Sequence, residues 1–450
     1  MRRLLLIGAG HAHAQVLRDW LDRPVPGVEL VLVSPAALAP YSGMVPGWLA
    51  GRYLFEDICI NFQALAAAAG ARWVADELAS LDAGRRSVTL ASGAVLGFDL
   101  LSLNVGSTLT PPANAANAAD DAGSGGAAML SLRPLGRLRE AWDLQLAAIA
   151  GQANQAPFTV TAVGGGAAGF ECLLAVLARL RALWPGRLVH GVLVSRASSL
   201  LPGLAPGAVR AAGQALTRAG VSLQLGTDWG DALLHRRSSA AAGTVLGLPD
   251  GATDGPTTGP TTGPATDPTT GLVLWATGAE AHDWQRCPAR RGGMAVSERG
   301  FIRVDRQLRS VSHPSVYAVG DCAEWAPPLP KAGVFAVRMG PVLSRNLRAA
   351  LGEGEAADYT PQRRFLALLA TGDGRAIGAW GRWSAQGRWL WRWKDHIDRQ
   401  FLRRFDLAAP GDGPGDQPPD RPAPTHAGGP GQGPAQTSNR TPWASGSAPE

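Results

Sequence analysis

The sequence predicts an α/β fold of two doubly wound parallel units with a small C-terminal region. Three observations predict it. A short apolar run at 4–7 leads directly into Gly8-Ala9-Gly10. A second, at 158–163, leads into Gly164-Gly165-Gly166-Ala167-Ala168-Gly169, with Glu171 just beyond. A third, at 315–319, ends in Gly320-Asp321. Glycines at the end of a buried strand let the backbone turn sharply and approach a pyrophosphate, whose charge is held by the free N–H groups opening the next helix. One such loop says little. Two in strand–loop–helix context predict two Rossmann-like dinucleotide-binding domains and electron transfer between their ligands.

The elements follow in order. Residues 4–33 read strand, loop, helix, strand, a βαβ unit of about thirty residues. A loop holding Pro40-Tyr41-Ser42-Gly43-Met44 follows, then a helix at 62–69 and strand-like runs near 73–74, 87–90 and 98–104. Residues 111–128 are rich in Ala, Asn, Gly and Asp and read as a linker. The second βαβ unit spans 158–194, with a further strand at 221–225. Near-repeats of Thr-Thr-Gly-Pro within 238–271 cannot build a core and read as an insertion. The strand pattern resumes at 272 and ends in Ala276-Thr277-Gly278. After Lys331-Ala332-Gly333 a helical pattern runs to 351, and 359–405 reads as folded. The expected organisation is thus 1–110 and 291–352 for the first domain, 129–290 for the second, 353–407 for an aromatic and basic region, and 408–450 for a disordered tail.

Composition narrows the function. A chain of 450 residues, 46% apolar, has length for two to three domains and material for a large core. The net charge of +6 is mild, and Lys331 and Lys394 are the only lysines. No nucleic-acid module accompanies the basic residues, so no nucleic-acid partner is expected. Four scattered cysteines, without C-x-x-C, predict neither a disulfide framework nor a zinc site. His11 and His13 lack a third ligand nearby, so no metal is expected. A reducing, cytoplasmic compartment is the expectation. No run is long and apolar enough to predict a membrane span. Arg2-Arg3 and the apolar residues after them imitate a signal peptide, but the run is short and passes directly into the glycine loop.

The order of motifs resembles the two-dinucleotide flavoproteins of the pyridine nucleotide–disulfide oxidoreductase superfamily. Within it the chain looks similar to type II NADH dehydrogenases and sulfide:quinone reductases. It also resembles the flavoprotein module found fused to selenide, water dikinase, through Gly10-His11-Ala12-His13, Pro40-Tyr41-Ser42-Gly43-Met44, Pro330-Lys331-Ala332-Gly333-Val334, Thr371-Gly372-Asp373-Gly374-Arg375-Ala376 and Trp391-Arg392-Trp393-Lys394-Asp395. The kinase module itself is not in this sequence. The resemblance covers about residues 1–405. It implies FAD on the first loop and NAD(P)H on the second. Gly8, Gly10 and Asp321, helped by Gly320, would contact FAD, with His11 beside its phosphates. Gly164, Gly166, Gly169, Glu171 and Gly278 would belong to the nicotinamide nucleotide site.

The sequence departs from that pattern in three places. His13 stands at the third glycine position of the first loop, where close helix–strand packing wants no side chain. Ser34 ends the second strand, where an acid usually holds the adenosine ribose. Ser195-Arg196 replaces the acid that favours NADH, and Arg196 is placed to meet a 2′-phosphate, so both NADH and NADPH remain open.

The chemistry is expected to need little from the protein's own acids and bases. Glu171 either lines the nicotinamide pocket or simply favours the helix dipole. Lys331 either stabilises negative charge near the flavin or is a surface residue. Disulfide reductases need a redox cysteine pair, or one cysteine in the loop after the second strand. That loop is Tyr41-Ser42-Gly43-Met44 here, and Cys172 and Cys322 read as small buried residues. Electrons are therefore expected to pass from the flavin directly to a small acceptor, such as a quinone. Two other readings are a soluble reductase in selenium or sulfur metabolism, and a flavin-binding scaffold or sensor with little turnover.

Five of fifteen tryptophans fall at 380–393 among arginines, followed by Ile397, Phe401 and Phe405 at four-residue spacing. The 380–405 stretch reads as a basic amphipathic helix. It either anchors the protein on the inner face of the membrane, or packs on the chain's own domains or a homodimer mate.

Overall fold

The computed structural model describes residues 1–111, 128–152, 157–230, 271–362 and 365–407. Most of the expected linker at 111–128 and insertion at 238–271, and the whole tail at 408–450, lie outside them. The first unit runs β1 (Arg2–Ile7), α1 (His11–Asp22), β2 (Val28–Val33), β3 (Arg72–Val74) and β4 (Leu100–Leu103). The second runs β5 (Ala128–Ser131), β6 (Phe158–Val163), α2 (Ala167–Leu183), β7 (Val189–Ser195), α3 (Pro206–Arg218), β8 (Val221–Leu225) and β9 (Gly271–Trp275). The chain then adds β10 (Val316–Ala318) and α4 (Gly333–Ala350). It closes with β11 (Ala367–Ala370), β12 (Ala376–Trp380), β13 (Trp383–Gly387) and α5 (Arg388–Arg403).

Two five-stranded, fully parallel sheets carry the fold. The first has the order β10-β4-β1-β2-β3, and the second β5-β9-β6-β7-β8. Both contain one core pattern, in which the glycine-loop strand sits between its immediate successor and the strand that returns from the far side. Strand order reverses there, and in open α/β sheets the crevice beyond the carboxyl ends at that point is the ligand site. The central strands are mostly apolar and every residue of β6 is buried, whereas the edge strand β8 exposes Ser222 and Leu223. Gly340 of α4 lets α1 approach closely, since a methyl there would press on Gln15 Cβ at 2.9 Å and Ala12 Cα at 3.4 Å.

The C-terminal region differs from expectation. Residues 367–387 form an antiparallel sheet, so the tryptophan cluster is divided between its β12–β13 hairpin and α5. The buried face of α5 includes Leu390, Lys394, Asp398 and Leu402, two of them charged. The Ile397/Phe401/Phe405 stripe packs inward. Phe401 lies 4.7 Å from Tyr41 and 6.0 Å from His11, ring to ring, and Phe405 is buried. No helix of the described residues is long and apolar enough to cross a membrane.

Candidate functional site

The first loop leaves β1 through Gly8, whose φ of +97° requires glycine. A methyl on Gly8 would also meet the carbonyl of Asn104, and one on Gly10 would overlap the Asn104 side chain. Asn104, just past β4, is buried and doubly tied. Its Oδ1 accepts from Ala12 N at 3.1 Å, and its Nδ2 donates to Val319 O at 3.0 Å. It therefore links the start of α1 to the Gly320-Asp321 element. No acidic side chain occupies the first turn of α1, and Gly10 supplies no side-chain cap. Of the first-turn N–H groups, Ala12 N is taken by Asn104 and His13 N by Gly10 O, which leaves His11 N for an anion among the described residues.

His13 fits where a glycine was expected, because its ring replaces close packing with two hydrogen bonds. Nδ1 lies 2.7 Å from Gly8 O and Nε2 lies 2.8 Å from Ser102 Oγ. A carbonyl can only accept, so Nδ1 carries the proton, and neutral Nε2 then accepts from the Ser102 hydroxyl. Burial without a carboxylate partner pushes the imidazole down to about 4. His11, the first residue of α1, packs edge-on against Tyr41 at 5.3 Å. Burial likewise lowers it to about 4, against an opposing pull from Asp321. Ser34 is buried, and its Oγ donates to Ala36 O at 3.0 Å.

Asp321 is paired from outside its own unit. Its Oδ2 meets the Arg133 guanidinium, and Ser107 Oγ approaches it at 3.4 Å. Oδ1 has no hydrogen-bond partner among the described residues. Arg133 follows β5, on the edge of the second sheet, and also donates to Ser107. Lys331 is no freely solvated surface residue. Its Nζ donates to Ala323 O and lies 3.9 Å from the centre of the Phe301 ring. Burial lowers its pKa, partly offset by Asp321 and Glu324. Lys331, Gly320, Asp321, Phe335 and Met339 line one small cavity.

The second loop repeats the first turn with a different closure. Gly164 has φ +128°, and a methyl there would overlap Ala276 O. A methyl on Gly169 would overlap Gly164 O, so α2 packs directly on the loop. Gly166 caps α2 without a side chain, and the first turn holds no acid. Beyond it opens a cleft of about 560 Å³, lined by Arg196, Thr277, Gly278, Glu280 and residues of 286–300. Ser195 Oγ accepts from Ala197 N at 3.2 Å.

Glu171 lies in the second turn of α2, so it is not the first-turn acid of the dipole reading. Its Oε1 accepts from Ala370 N at 2.7 Å. Burial raises its pKa to about 7, against the pull of Lys394. Lys394 Nζ donates to Asp398 Oδ2 and to Gly43 O, both at 2.6 Å. The Tyr41 hydroxyl faces Asp398, whose carboxyl is raised by burial with Lys394 opposing. The loop after β2, the second turn of α2 and the buried face of α5 thus converge on one group of titratable side chains. Cys172 and Cys322 are free and buried, and burial pushes the Cys322 thiol up to about 11. Neither is poised as a thiolate.

Gly8, Gly10 and Gly320 meet around Asn104, with Asp321 close enough to act on His11; Gly164 and Gly169 pack against Ala276, Gly166 opens α2, and Arg196 and Gly278 line the cleft. Glu171 and Lys331 stand apart from each other. Sequence reasoning missed Asn104, Ser107, Arg133 and the Lys394–Asp398 pair as site residues. Only Lys394, rare in an arginine-dominated chain and within the Trp391–Asp395 resemblance, carried a signal. Two glycine turns that a methyl would fill, each opening a helix whose N-cap glycine offers no side chain, at a switch point, fit two dinucleotides.

Known proteins agree with that geometry. The family profile "Pyridine nucleotide-disulphide oxidoreductase" matches residues 2–340. Over 142 residues the chain is 27% identical to the large subunit of nitrite reductase [NAD(P)H] from Klebsiella oxytoca, a match covering 32% of this chain and 14% of that protein. Among solved structures, the sulfide:quinone oxidoreductase of Aquifex aeolicus superposes with TM-score 0.64 and 13% identity, covering 90% of this chain and 91% of that one. NDH2 from Plasmodium falciparum, solved with NADH, gives TM-score 0.65 and 12% identity, covering 90% and 97%. At such identity these two likenesses concern the fold. The chain belongs to the pyridine nucleotide-disulphide oxidoreductase family. It is a flavin-dependent NAD(P)H oxidoreductase, with FAD and NAD(P)H as its cofactors.

Proposed function

We propose that the chain carries electrons from NAD(P)H to a quinone or another small acceptor with no redox disulfide between. FAD, when bound, supplies the redox chemistry, accepting a hydride from the nicotinamide. Gly8, Gly10, Gly320 and Asp321 would hold FAD, with Asn104 keeping the loop in shape and Arg133 orienting the Asp321 carboxylate. Ser34 and His11 would border that site. Gly164, Gly166, Gly169 and Gly278 would hold NAD(P)H. We assign 1–110 and 291–352 to the FAD domain, and 129–290 to the NAD(P)H domain.

The carrying observation is the junction of Tyr41, Glu171, Lys394 and Asp398. Where a disulfide reductase needs cysteine, this loop offers the Gly43 carbonyl to Lys394. Reducing a quinone to its quinol consumes two protons. Burial raises the Glu171 carboxyl to about 7, so it holds a proton far more readily than an exposed glutamate. Its Oε1 is engaged by Ala370, which leaves the other oxygen to carry the proton. Lys394, locked between Gly43 and Asp398, supplies a fixed positive charge beside it. Lys331 would place a second near the FAD site.

Exposed tryptophans favour a membrane-dissolved acceptor. Trp380, Trp383, Trp389 and Trp393 are all exposed, beside exposed Arg382, Arg388 and Arg392. Such a surface suits the lipid headgroup layer. The 380–405 region would therefore touch the membrane peripherally. Anaerobic titration with NADH and NADPH, read by bleaching of the flavin absorbance, tests the first half; reoxidation by a short-chain quinone tests the second. Turnover with sulfur or selenium species but none with quinones would overturn the quinone reading. Liposome flotation of the protein and of a variant with the exposed Trp380, Trp383, Trp389 and Trp393 changed to Ser tests the membrane contact. Equal flotation, or a dimer interface covering the tryptophans, would defeat it.

A further inference from the structure

Four arginines line the cleft beyond the second loop. Arg196 enters it from the end of β7, while Arg286, Arg291 and Arg299 enter from the segment after β9. Two of these are engaged. Arg286 meets Asp283 and, at 3.5 Å, Glu280. Arg299 donates to Ala279 O at 2.9 Å and lies over the Phe301 ring. Arg291 makes one long bond, to Arg286 O at 3.4 Å, and among the described residues no carboxylate forms an ion pair with it. Among the described residues Arg196 pairs only with Asp228, at 3.9 Å on an exposed pair, which binds it weakly. Glu280 and Glu298 are the two acids that line the cleft beside the four arginines, and Glu298 has no basic partner among the described residues. Position 195 is a serine turned onto the backbone of Ala197. An acid there would accept from a ribose 2′-hydroxyl and repel a 2′-phosphate.

We propose that Arg196 and Arg291 form a two-sided clamp for the 2′-phosphate of the nicotinamide nucleotide, so that the chain prefers NADPH to NADH. Arg196 reaches it from the second sheet, and Arg291 from the segment returning to the first. The proposal rests on the second loop being the NAD(P)H site. A guanidinium fork matches a phosphate dianion in geometry, and each charge-assisted bond lost weakens binding by about tenfold or more.

Calorimetry of the flavin-loaded protein with AMP, ADP and 2′,5′-ADP tests it without turnover. The expected result is 2′,5′-ADP binding at least about tenfold more tightly than AMP or ADP. Arg196→Ala and Arg291→Ala should each erase about tenfold of that preference and leave AMP unchanged. Arg291→Lys, which keeps the charge and the fold but loses the fork, should lie between. Equal binding of AMP and 2′,5′-ADP overturns the clamp. So does ADP binding as tightly as 2′,5′-ADP, because the arginines would then read the pyrophosphate. So does an Arg291 variant indistinguishable from wild type. Failure of all three ligands, and of NADH and NADPH, to bind would instead strike the assignment of the second loop.

Discussion

The two glycine loops are the same turn closed by different chemistry. Gly8 N donates to Val33 O at 2.8 Å, and Gly164 N donates to Val194 O at 2.8 Å. Each of these glycines has positive φ and rests against the carbonyl of the residue just past its sheet's returning strand, Asn104 or Ala276. Beyond that the loops part. At the third glycine position the second loop has Gly169, pressed on Gly164 O, while the first has His13 bonded to Gly8 O. Past the returning strand the second sheet has a methyl, and the first has the doubly bonded Asn104. Steric closeness closes one loop and buried polar ties close the other. A missing glycine is therefore no weakness where a neighbouring strand supplies the partner, here Ser102.

The shared part of the comparison gives the largest expected effects. Gly8→Ala and Gly164→Ala place a methyl against backbone at a conformation alanine avoids. Each should cost roughly 3 kcal/mol or more in urea unfolding. Gly8→Ala should emerge without flavin colour. Gly164→Ala should keep its flavin but lose bleaching by reduced nucleotide. Loss of the same ligand in both would break the division of labour between the loops.

Asn104→Ala makes the first sheet resemble the second. Two buried hydrogen bonds disappear, Ala12 N is left unpaired, and Val319 O keeps only the weak bond from the Cys322 thiol. The expected loss is about 2–3 kcal/mol, with weaker flavin retention on dialysis. Stability and flavin retention equal to wild type would show that the polar closure is dispensable.

This difference also marks what the sequence could reveal. Strands 28–33, 158–163 and 221–225 and both glycine turns were legible because they are local: apolar runs broken by glycine. His13 was visible as a departure, but its answer was not, since Ser102 lies 89 residues away. Arg133 meets Asp321 across 188 residues, and Lys394 meets Gly43 across 351. Such partners follow from sheet order, which periodicity does not encode. The buried face of α5 misled for a related reason. Lys394 and Asp398 are paired on that face, with Lys394 also donating to Gly43 O far away in sequence. The C-terminal sheet was hidden because tryptophan and arginine dominate its hairpin and the following helix alike.

His13→Gly converts the first loop to the glycine pattern of the second. Without the ring, Ser102 and Gly8 O lose their partner, and about 2 kcal/mol should be lost at neutral pH. The pH dependence sharpens the test. His13 is held at about 4 in the fold against 6.5 unfolded. The unfolded chain therefore takes up a proton first, and stability falls as pH drops from about 6.5 to 4. His11 adds a similar slope over the same window. His13→Gly should remove about half of this acid loss in unfolding measured between pH 4 and 7. An unchanged slope would mean the imidazole is not buried neutral.

The smallest effect concerns the helices behind the loops, where Gln15 of α1 and Glu171 of α2 hold the same offset from their glycines. Gln15 is a neutral amide that donates to Asp19 at 2.6 Å. Glu171 is an acid raised from 4.5 to about 7 by burial, with Lys394 opposing and Asp398 adding to the rise. The folded chain holds this proton longer than the unfolded one, so stability declines as pH rises from about 4.5 to 7 and then levels. Glu171→Gln should abolish that decline and gain about 1 kcal/mol at pH 8, because ionising the buried acid costs more than Lys394 returns. The same variant should slow acceptor reduction while leaving flavin bleaching by NAD(P)H intact, because the proton serves the acceptor and the hydride does not need it. A gain in stability with both half-reactions untouched would reduce Glu171 to a tie onto Ala370. A slowed bleaching would place it beside the nicotinamide instead.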